Sequence, residues 1–528
     1  MNRGMFGSAL LLSLLVASTF AARTPSDLQS LFSAEVISGD HDLIGSLPGY
    51  EGNLKVKMHA GHISVGTGGK RLFYLFAEAQ SNPSTAPVVL WMNGGPGCSS
   101  MDGFVYEHGP FNYKLVTEGG AGRRKGSPLG VELTDNPSSW NTVANVLYLD
   151  SPAGVGLSYS TDGDADYVTD DFITRDDAEE FLRKWFDTHP AFQRQPFYVS
   201  GESYAGVYVP NLALAVAEGN EKGSEPHINL QGILVGNGCT DAEVDGNALP
   251  AFVSGKSLIP QTLMATLGTA CACSAASPVQ ECFWNTTGGS RCDKLLSKVW
   301  ADVARLNIYD VLEDCFMGPN PDMPAHELVG LSLEGRAVAQ QLQKLKPSNQ
   351  MPQALASHGR RWPVVGSTPQ GKVQNWAHLK LTPPCTDSRA AWLWLNDPAV
   401  RQALNAEPVE VSGEWALCSD RIDYTRVIPS LIPTHKALLR RGLRTLIFTG
   451  DHDMAVPHTG SERWTSELGL PVKKEWRPWT FESQVAGYVV EYAGLTYATV
   501  KGAGHMVPMN KPGQALAMFS RFLDGASL

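Results

Sequence analysis

Short, unbroken apolar runs separated by helix-like stretches set the first limit on what this chain can fold into. Val88-Val89-Leu90-Trp91-Met92, Val146-Leu147-Tyr148-Leu149, Phe197-Tyr198-Val199, Ile233-Leu234-Val235 and Thr445-Leu446-Ile447-Phe448 show almost no polar alternation. A strand with one wet face alternates, whereas a strand covered on both faces reads as a continuous run, as in a mostly parallel sheet. Between these runs, residues 177–188 place Ala178, Phe181, Leu182, Trp185 and Phe186 on one helical face. Ser64-Val65 and Arg71-Leu72-Phe73-Tyr74-Leu75-Phe76, joined by Gly66-Thr67-Gly68-Gly69, predict an opening hairpin. Thr496-Tyr497-Ala498-Thr499-Val500 predicts a closing strand. Such alternation gives an α/β fold with helices on both sides of the sheet.

The 528 residues, 43% of them hydrophobic, suffice for one large α/β core with an insertion. A formal charge of -11 argues against nucleic acid as a partner, and Arg123-Arg124-Lys125 reads as solvated loop. Residues 1–22 combine Arg3, an apolar segment over 9–20 and Ala21-Ala22, the pattern of a cleavable secretory signal. No later apolar run approaches membrane-spanning length, so no membrane contact is expected once the signal is removed. Nine cysteines suit an oxidising compartment, and the odd count leaves at least one unpaired in the chain. Asn285-Thr286-Thr287 is a glycosylation sequon, with Asn285 the acceptor.

Seven of the nine cysteines fall between Cys239 and Cys385, among Pro-rich and polar loops. That density predicts an insertion whose small core is stapled by disulfides, lying as a cap over the carboxyl edge of the sheet, where α/β sites form. The expected division is core over 23–238, cap over 239–394 and core again over 395–528. Residues 346–374 read as an exposed loop in which Arg360-Arg361 is a candidate processing site. Cys271-x-Cys273 has no second Cys or His pair at finger-like spacing, so no metal is expected.

Candidate chemistry begins at Gly201-Glu202-Ser203-Tyr204-Ala205-Gly206, between the run Pro196-Phe197-Tyr198-Val199 and helix-like residues 207–218. Strand, sharp turn, then helix is the geometry that presents a serine hydroxyl as a nucleophile. Ala205 stands where a second glycine is usual and Gly206 comes one residue late, but a small residue preserves the turn. A serine needs a base and the base an orienting carboxylate. Downstream, one strand runs into Gly450-Asp451-His452-Asp453 and the last into Gly502-Ala503-Gly504-His505, giving the order Ser, Asp, His. Ser158, in Gly156-Leu157-Ser158-Tyr159, lacks the strand–elbow–helix context, and His452 is expected to face solvent.

These segments, with Trp91-Met92-Asn93-Gly94-Gly95-Pro96-Gly97-Cys98-Ser99-Ser100 and Asp150-Ser151-Pro152-Ala153-Gly154-Val155-Gly156, span nearly the whole mature chain. Together they resemble a serine carboxypeptidase of the α/β-hydrolase superfamily: a mostly parallel central sheet flanked by helices, with a disulfide-stapled cap insertion. The resemblance implies Ser203 as nucleophile, His505 as general base and acid, and Asp453, rather than Asp451, as its partner. It implies the amides of Gly95 and Tyr204 as oxyanion donors, with Asn93, Gly94, Glu107 and Glu202 receiving the substrate carboxylate. Two adjacent carboxyls cannot both ionise cheaply, so one keeps a proton with which to bind that carboxylate, and an acidic optimum is expected. The alternative for Glu107 is a cap on the turn His108-Gly109-Pro110.

The resemblance further implies disulfides Cys98–Cys418, Cys315–Cys385, Cys271–Cys292 and Cys273–Cys282, with pairing among the last four left open, and Cys239 free. It implies a side-chain pocket lined by residues 247–258, no cofactor, and peptide or protein C-termini as partners. The compartment is extracellular or vacuolar/lysosomal, and a homodimer stays open. Two other activities share the resemblance. Gly450-Asp451-His452-Asp453-Met454-Ala455-Val456-Pro457 and Trp476-Arg477-Pro478-Trp479 resemble plant acyltransferases that draw on sugar esters. Those tend to lack the asparagine matching Asn93 and often carry Asp at the position of Glu202, and this chain has both peptidase-type residues. A silent binding or protective protein on the same fold is the third reading, against which the complete Ser203, Asp453 and His505 set argues.

Overall fold

A computed structural model describes residues 42–116, 130–271, 291–303, 306–316, 372–373 and 385–528. The signal segment, Arg123-Arg124-Lys125, Asn285, the Cys273–Cys282 pair and Arg360-Arg361 lie outside the described residues.

The strands that position the site are β1 (Met58–Ser64), β2 (Lys70–Ala77), β3 (Val88–Met92), β4 (Asn145–Leu149), β5 (Phe197–Glu202), β6 (Leu230–Gly236), β7 (Arg444–Gly450), β8 (Val472–Phe481), β9 (Gln484–Tyr492) and β10 (Leu495–Val500). They form one sheet in the order β1-β2-β4-β3-β5-β6-β7-β10-β9-β8, with the short strand Tyr159–Ser160 added on β2. The six central strands, β4 to β10, are parallel, and antiparallel pairs close both ends. The expected α/β-hydrolase architecture is therefore present.

The apolar runs are buried on both sides, as their continuity predicted. Leu90, Met92, Val199, Ile233 and Ile447 belong to one core, with Phe181, Leu182 and Trp185 of α1 (Asp171–Thr188) and Val207 and Val209 of α2 (Ala205–Lys222). Val89, Trp91, Tyr198, Leu446 and Phe448 face the other, with Met518 and Phe519 of the C-terminal helix. Each such side chain, fully buried, contributes roughly 1.5–3 kcal/mol. The sheet ends differently from the sequence expectation. A hairpin of β8 and β9 lies beyond β10, invisible to an apolar-run reading because the edge strand is mostly exposed. Trp476-Arg477-Pro478-Trp479 lies on that strand.

Because the chain leaves β3 for β4 on one side while β5 lies on the other, the sheet has its switch point there. Loops at the carboxyl ends of adjacent strands diverge at such a point and leave a crevice. The segment after β3 (Asn93 onward) and the turn after β5 (Ser203) flank it.

Between residues 239 and 394 the described chain forms α3 (Ala242–Gly255), α4 (Gln261–Ala270) and α5 (Arg291–Val303), a third, smaller core that includes Leu249, Phe252, Val253, Leu267 and Val303. Cys271–Cys292 ties α4 to α5, Cys315–Cys385 closes the segment after α5, and Cys98–Cys418 links the loop after β3 to residues near the C-terminal core. Cys239 is buried and free. Of residues 247–258, Leu249, Phe252 and Val253 belong to this small core, packed with Met454 and Ala455 beside Asp453. Among the described residues no helix is long and apolar enough to cross a membrane.

Candidate active site

At the elbow Ser203 takes φ 64°, a left-handed conformation that swings its side chain out of the strand line. Its backbone N–H donates to Gly236 O at 3.1 Å, and its own carbonyl accepts from Gly206 and Cys239 at 2.9 Å. The glycine spacing that looked irregular has a steric reason. A Cβ on Gly201 would meet Met92 O at 2.2 Å and the Ala205 Cβ at 2.7 Å, and one on Gly206 would meet Cys239 O at 2.3 Å. The elbow therefore needs glycine at 201 and 206, and only a small side chain at 205.

The turns after β7 and β10 bring Asp453 and His505 together, His505 Nδ1 lying 2.7 Å from Asp453 Oδ2. Asp453 is wholly buried and also accepts from Ala455 N (2.7 Å), Val456 N (3.1 Å) and Asn237 Nδ2 (2.8 Å). A carboxylate can only accept, so Nδ1 of His505 carries hydrogen and Nε2 is the ring nitrogen left to act as base. The segment around Tyr309 fixes the ring from behind, because His505 N donates to Tyr309 O at 2.6 Å and the two rings pack 5.1 Å apart. Asp451 instead accepts from Gly502 N at 2.7 Å, which holds the two turns together. His452 does not face solvent as expected. It is largely buried, 3.6 Å from Asp451 and 4.0 Å from Asp310, because the cap segment covers it through Val311 N to His452 O. Ser158 is buried, donating to Asp150 O and accepting from Phe73 N, a structural role.

Asn93, the first residue after β3, is locked in orientation. Its Oδ1 accepts from Trp91 Nε1 (2.8 Å) and Gly103 N (3.1 Å), which turns its amide N–H groups toward Glu107 Oε1 and Glu202 Oε1, both at 3.1 Å. Glu107 ends a single π-helical turn, Gly103–Glu107, and its carboxyl goes to Asn93 rather than to the following turn. Burial, together with the neighbouring acids, pushes the carboxyls of both Glu107 and Glu202 upward. Gly94 packs directly on the elbow: a Cβ there would lie 2.3 Å from Tyr204 N and 2.7 Å from Ser203 Cβ. Gly95 follows with φ 111°, open to glycine alone, and a Cβ would meet Cys98 N at 2.7 Å. The amides at 95 and 204 thus flank the same short stretch. Cys98–Cys418, Ser99 N to Leu417 O and Ser419 N to Gly97 O, both 2.8 Å, anchor the far end of this loop.

Two residues of this site were not read from sequence. Asn237, after β6, ties Asp453 to Gly450 N, which donates to its Oδ1 at 3.0 Å. Its signal was there, since Gly236-Asn237-Gly238 follows a buried run between two strands that carry site residues. Asp102 places a third buried carboxyl within 4.8 Å of Glu107 and Glu202, and burial raises it to about 7. Nothing in its local sequence distinguishes it.

The serine carboxypeptidase family profile matches residues 48–525. Serine carboxypeptidase-like 20 of Arabidopsis thaliana is 44% identical over 92% of this chain and 93% of its own. Serine carboxypeptidase 1 of Hordeum vulgare is 43% identical over 92% and 93%. Lysosomal protective protein of Mus musculus is 34% identical over 94% and 96%. Among solved structures, the prohormone-processing carboxypeptidase KEX1(delta)p of Saccharomyces cerevisiae matches in fold, with TM-score 0.63 at 20% identity, covering 92% of this chain and 96% of that one. This chain belongs to the serine carboxypeptidase family, a family of serine-type hydrolases.

Proposed function

We propose that the protein releases single amino acids from peptide C-termini through an acyl-enzyme, most efficiently at acidic pH. The observation that supports it best is Asn93 directing its amide at two buried carboxyls beside the elbow. In this reading His505 Nε2 takes the proton as Ser203 Oγ adds to the last peptide carbonyl. The amides of Gly95 and Tyr204 hold the oxyanion, and Asp453 keeps the imidazole in its productive tautomer. His505 then returns the proton to the departing amine, and water, activated by the same nitrogen, frees the shortened peptide and Ser203.

The substrate carboxylate meets Asn93, the Gly94 amide and whichever of Glu107 and Glu202 holds a proton. Because both carboxyls are raised, that donor persists through the acidic range and is lost as pH climbs, when the pair turns anionic and repels the substrate. Residues 239–394 serve as the cap on a core of 23–238 and 395–528, and the paired cysteines suit a secretory destination, extracellular or vacuolar/lysosomal.

The test is hydrolysis of a blocked dipeptide and of its C-terminal amide from pH 4 to 8. Acidic hydrolysis of the free acid, lost in Ser203→Ala, is the expected result. No hydrolysis at any pH, with Ser203 still labelled by a serine-reactive phosphonate, would favour acyl transfer from sugar esters instead.

A further inference from the structure

A second polar cluster involves none of these residues. It gathers Asp42 from the segment before β1, His59 from β1, Glu78 just after β2 and His189 at the end of α1. Asp42 Oδ1 lies 3.0 Å from His59 Nδ1, and Asp42 Oδ2 lies 2.9 Å from His189 Nε2. One donor atom from each of the three falls within 4.8 Å of the other two. The side chains are 16%, 10% and 6% exposed for Asp42, His59 and His189, so the cluster is shielded yet reachable.

We propose that Asp42, His59 and His189 bind one divalent ion of the zinc class through the Asp42 carboxylate, His59 Nδ1 and His189 Nε2. His189 Nδ1 lies 2.9 Å from the Trp185 carbonyl, which can only accept, and 3.0 Å from the Thr188 hydroxyl, so a hydrogen on Nδ1 satisfies the carbonyl. That leaves Nε2 aimed at an Asp42 carboxylate oxygen 2.9 Å away, a contact that either a hydrogen on Nε2 or a bound metal ion would bridge. His59 repeats the pattern, its Nε2 lying 3.3 Å from Glu78 Oε1 and its Nδ1 facing Asp42. Two carboxylates and two imidazoles, three of them offering donor atoms within 4.8 Å of one another, make a set whose charge one divalent ion can balance.

Orientation favours the ion. A metal-bound histidine usually donates its other N–H to a carbonyl or carboxylate, which fixes ring and tautomer. Here Trp185 O serves His189 and Glu78 serves His59. Trp185 also stacks on the His189 ring at 4.5 Å and 12°, and Tyr74 OH holds Asp42 Oδ2 at 2.6 Å. Four-coordinate zinc with bonds of about 2.0–2.1 Å sets its donors about 3.3 Å apart, so the two Asp42–His contacts must open by roughly 0.3–0.4 Å and no donor pair must close by more than about 1.5 Å. Two nitrogen donors argue against calcium or magnesium. Sequence spacing could not reveal the site, because its members lie at positions 42, 59 and 189.

The experiment uses the full secreted chain, stripped with chelator and titrated with zinc, then with cobalt as a coloured substitute. Expected are one equivalent bound at pH 7.5, a four- or five-coordinate cobalt spectrum, about two protons released per ion and a chelator-reversible rise in Tm. His59→Gln and His189→Gln should weaken binding at least about a hundredfold, and Glu78→Gln about ten- to a hundredfold. Exposed His227→Gln should leave binding intact. Wild-type protein that takes up no stoichiometric ion and releases no protons would assign the cluster to two protons and overturn the proposal. So would uptake unchanged in His59→Gln and His189→Gln. If those variants fail to fold, the wild-type stoichiometry and proton release decide alone.

Discussion

At the residue scale, the Asp453–His505 pair is held by a third side chain. Asn237 has φ 41°, a left-handed conformation that asparagine tolerates well, and this lets one amide serve both Asp453 and Gly450. Asn237→Ala removes a hydrogen bond to a charged group, worth about 1.5–3 kcal/mol. A fall in kcat of roughly ten- to a hundredfold with KM preserved is expected, since substrate binding does not involve this contact; steady-state kinetics on a blocked dipeptide measure both. The candidates Ser203, Asp453 and His505 stand out in the sequence because each follows a recognisable strand in a fixed chain order. Asn237 and Asp102 act only through tertiary approach, and His452 was misjudged because the cap segment that covers it cannot be placed from sequence.

At the element scale, residues 306–311 press closely on the turn that carries His505. A Cβ on Gly504 would fall 2.2 Å from Tyr309 O and 2.6 Å from Asp310 Cβ, so β10's turn and residues 306–311 approach without room for a methyl group. Gly504→Ala must push the cap segment or the His505 turn aside. A shift of about 1 Å in reacting groups costs on the order of a hundredfold in rate, and kcat should fall accordingly while Tm changes modestly. A kcat within twofold of wild type would show that the cap segment yields instead. The same scale explains what sequence could tell of the fold. The central strands were readable because burial on both faces leaves only apolar residues, whereas β8 exposes Lys473, Lys474 and Glu475 and reads as loop. The loop after β3 depends on Cys98–Cys418, which spans 320 residues. Replacing both cysteines by alanine should lower stability by about 2–5 kcal/mol in denaturant titration.

At the scale of the whole molecule, three acids buried together tie stability to pH. Asp102, Glu107 and Glu202 are all raised, each first by burial, with Asp453 adding to Glu202 and His505 acting in the opposite sense on Asp102. In the unfolded chain these groups ionise near 4. Between that value and the raised one the folded state holds more protons, so its stability is complete below about pH 4 and declines as pH rises. Each such group removes about 1.4 kcal/mol per pH unit while it is protonated folded and ionised unfolded. The protein should therefore unfold at lower temperature at pH 8 than at pH 5, and Glu202→Gln should flatten that slope by removing one group. A slope as steep in Glu202→Gln as in wild type would assign the pH dependence elsewhere. The direction matters for function, because the protons that stabilise the fold at acidic pH are the ones proposed to hold the substrate carboxylate. Stability and peptide affinity should then decline over the same pH interval, and both declines should shift in Glu202→Gln, where the amide keeps a donor at every pH.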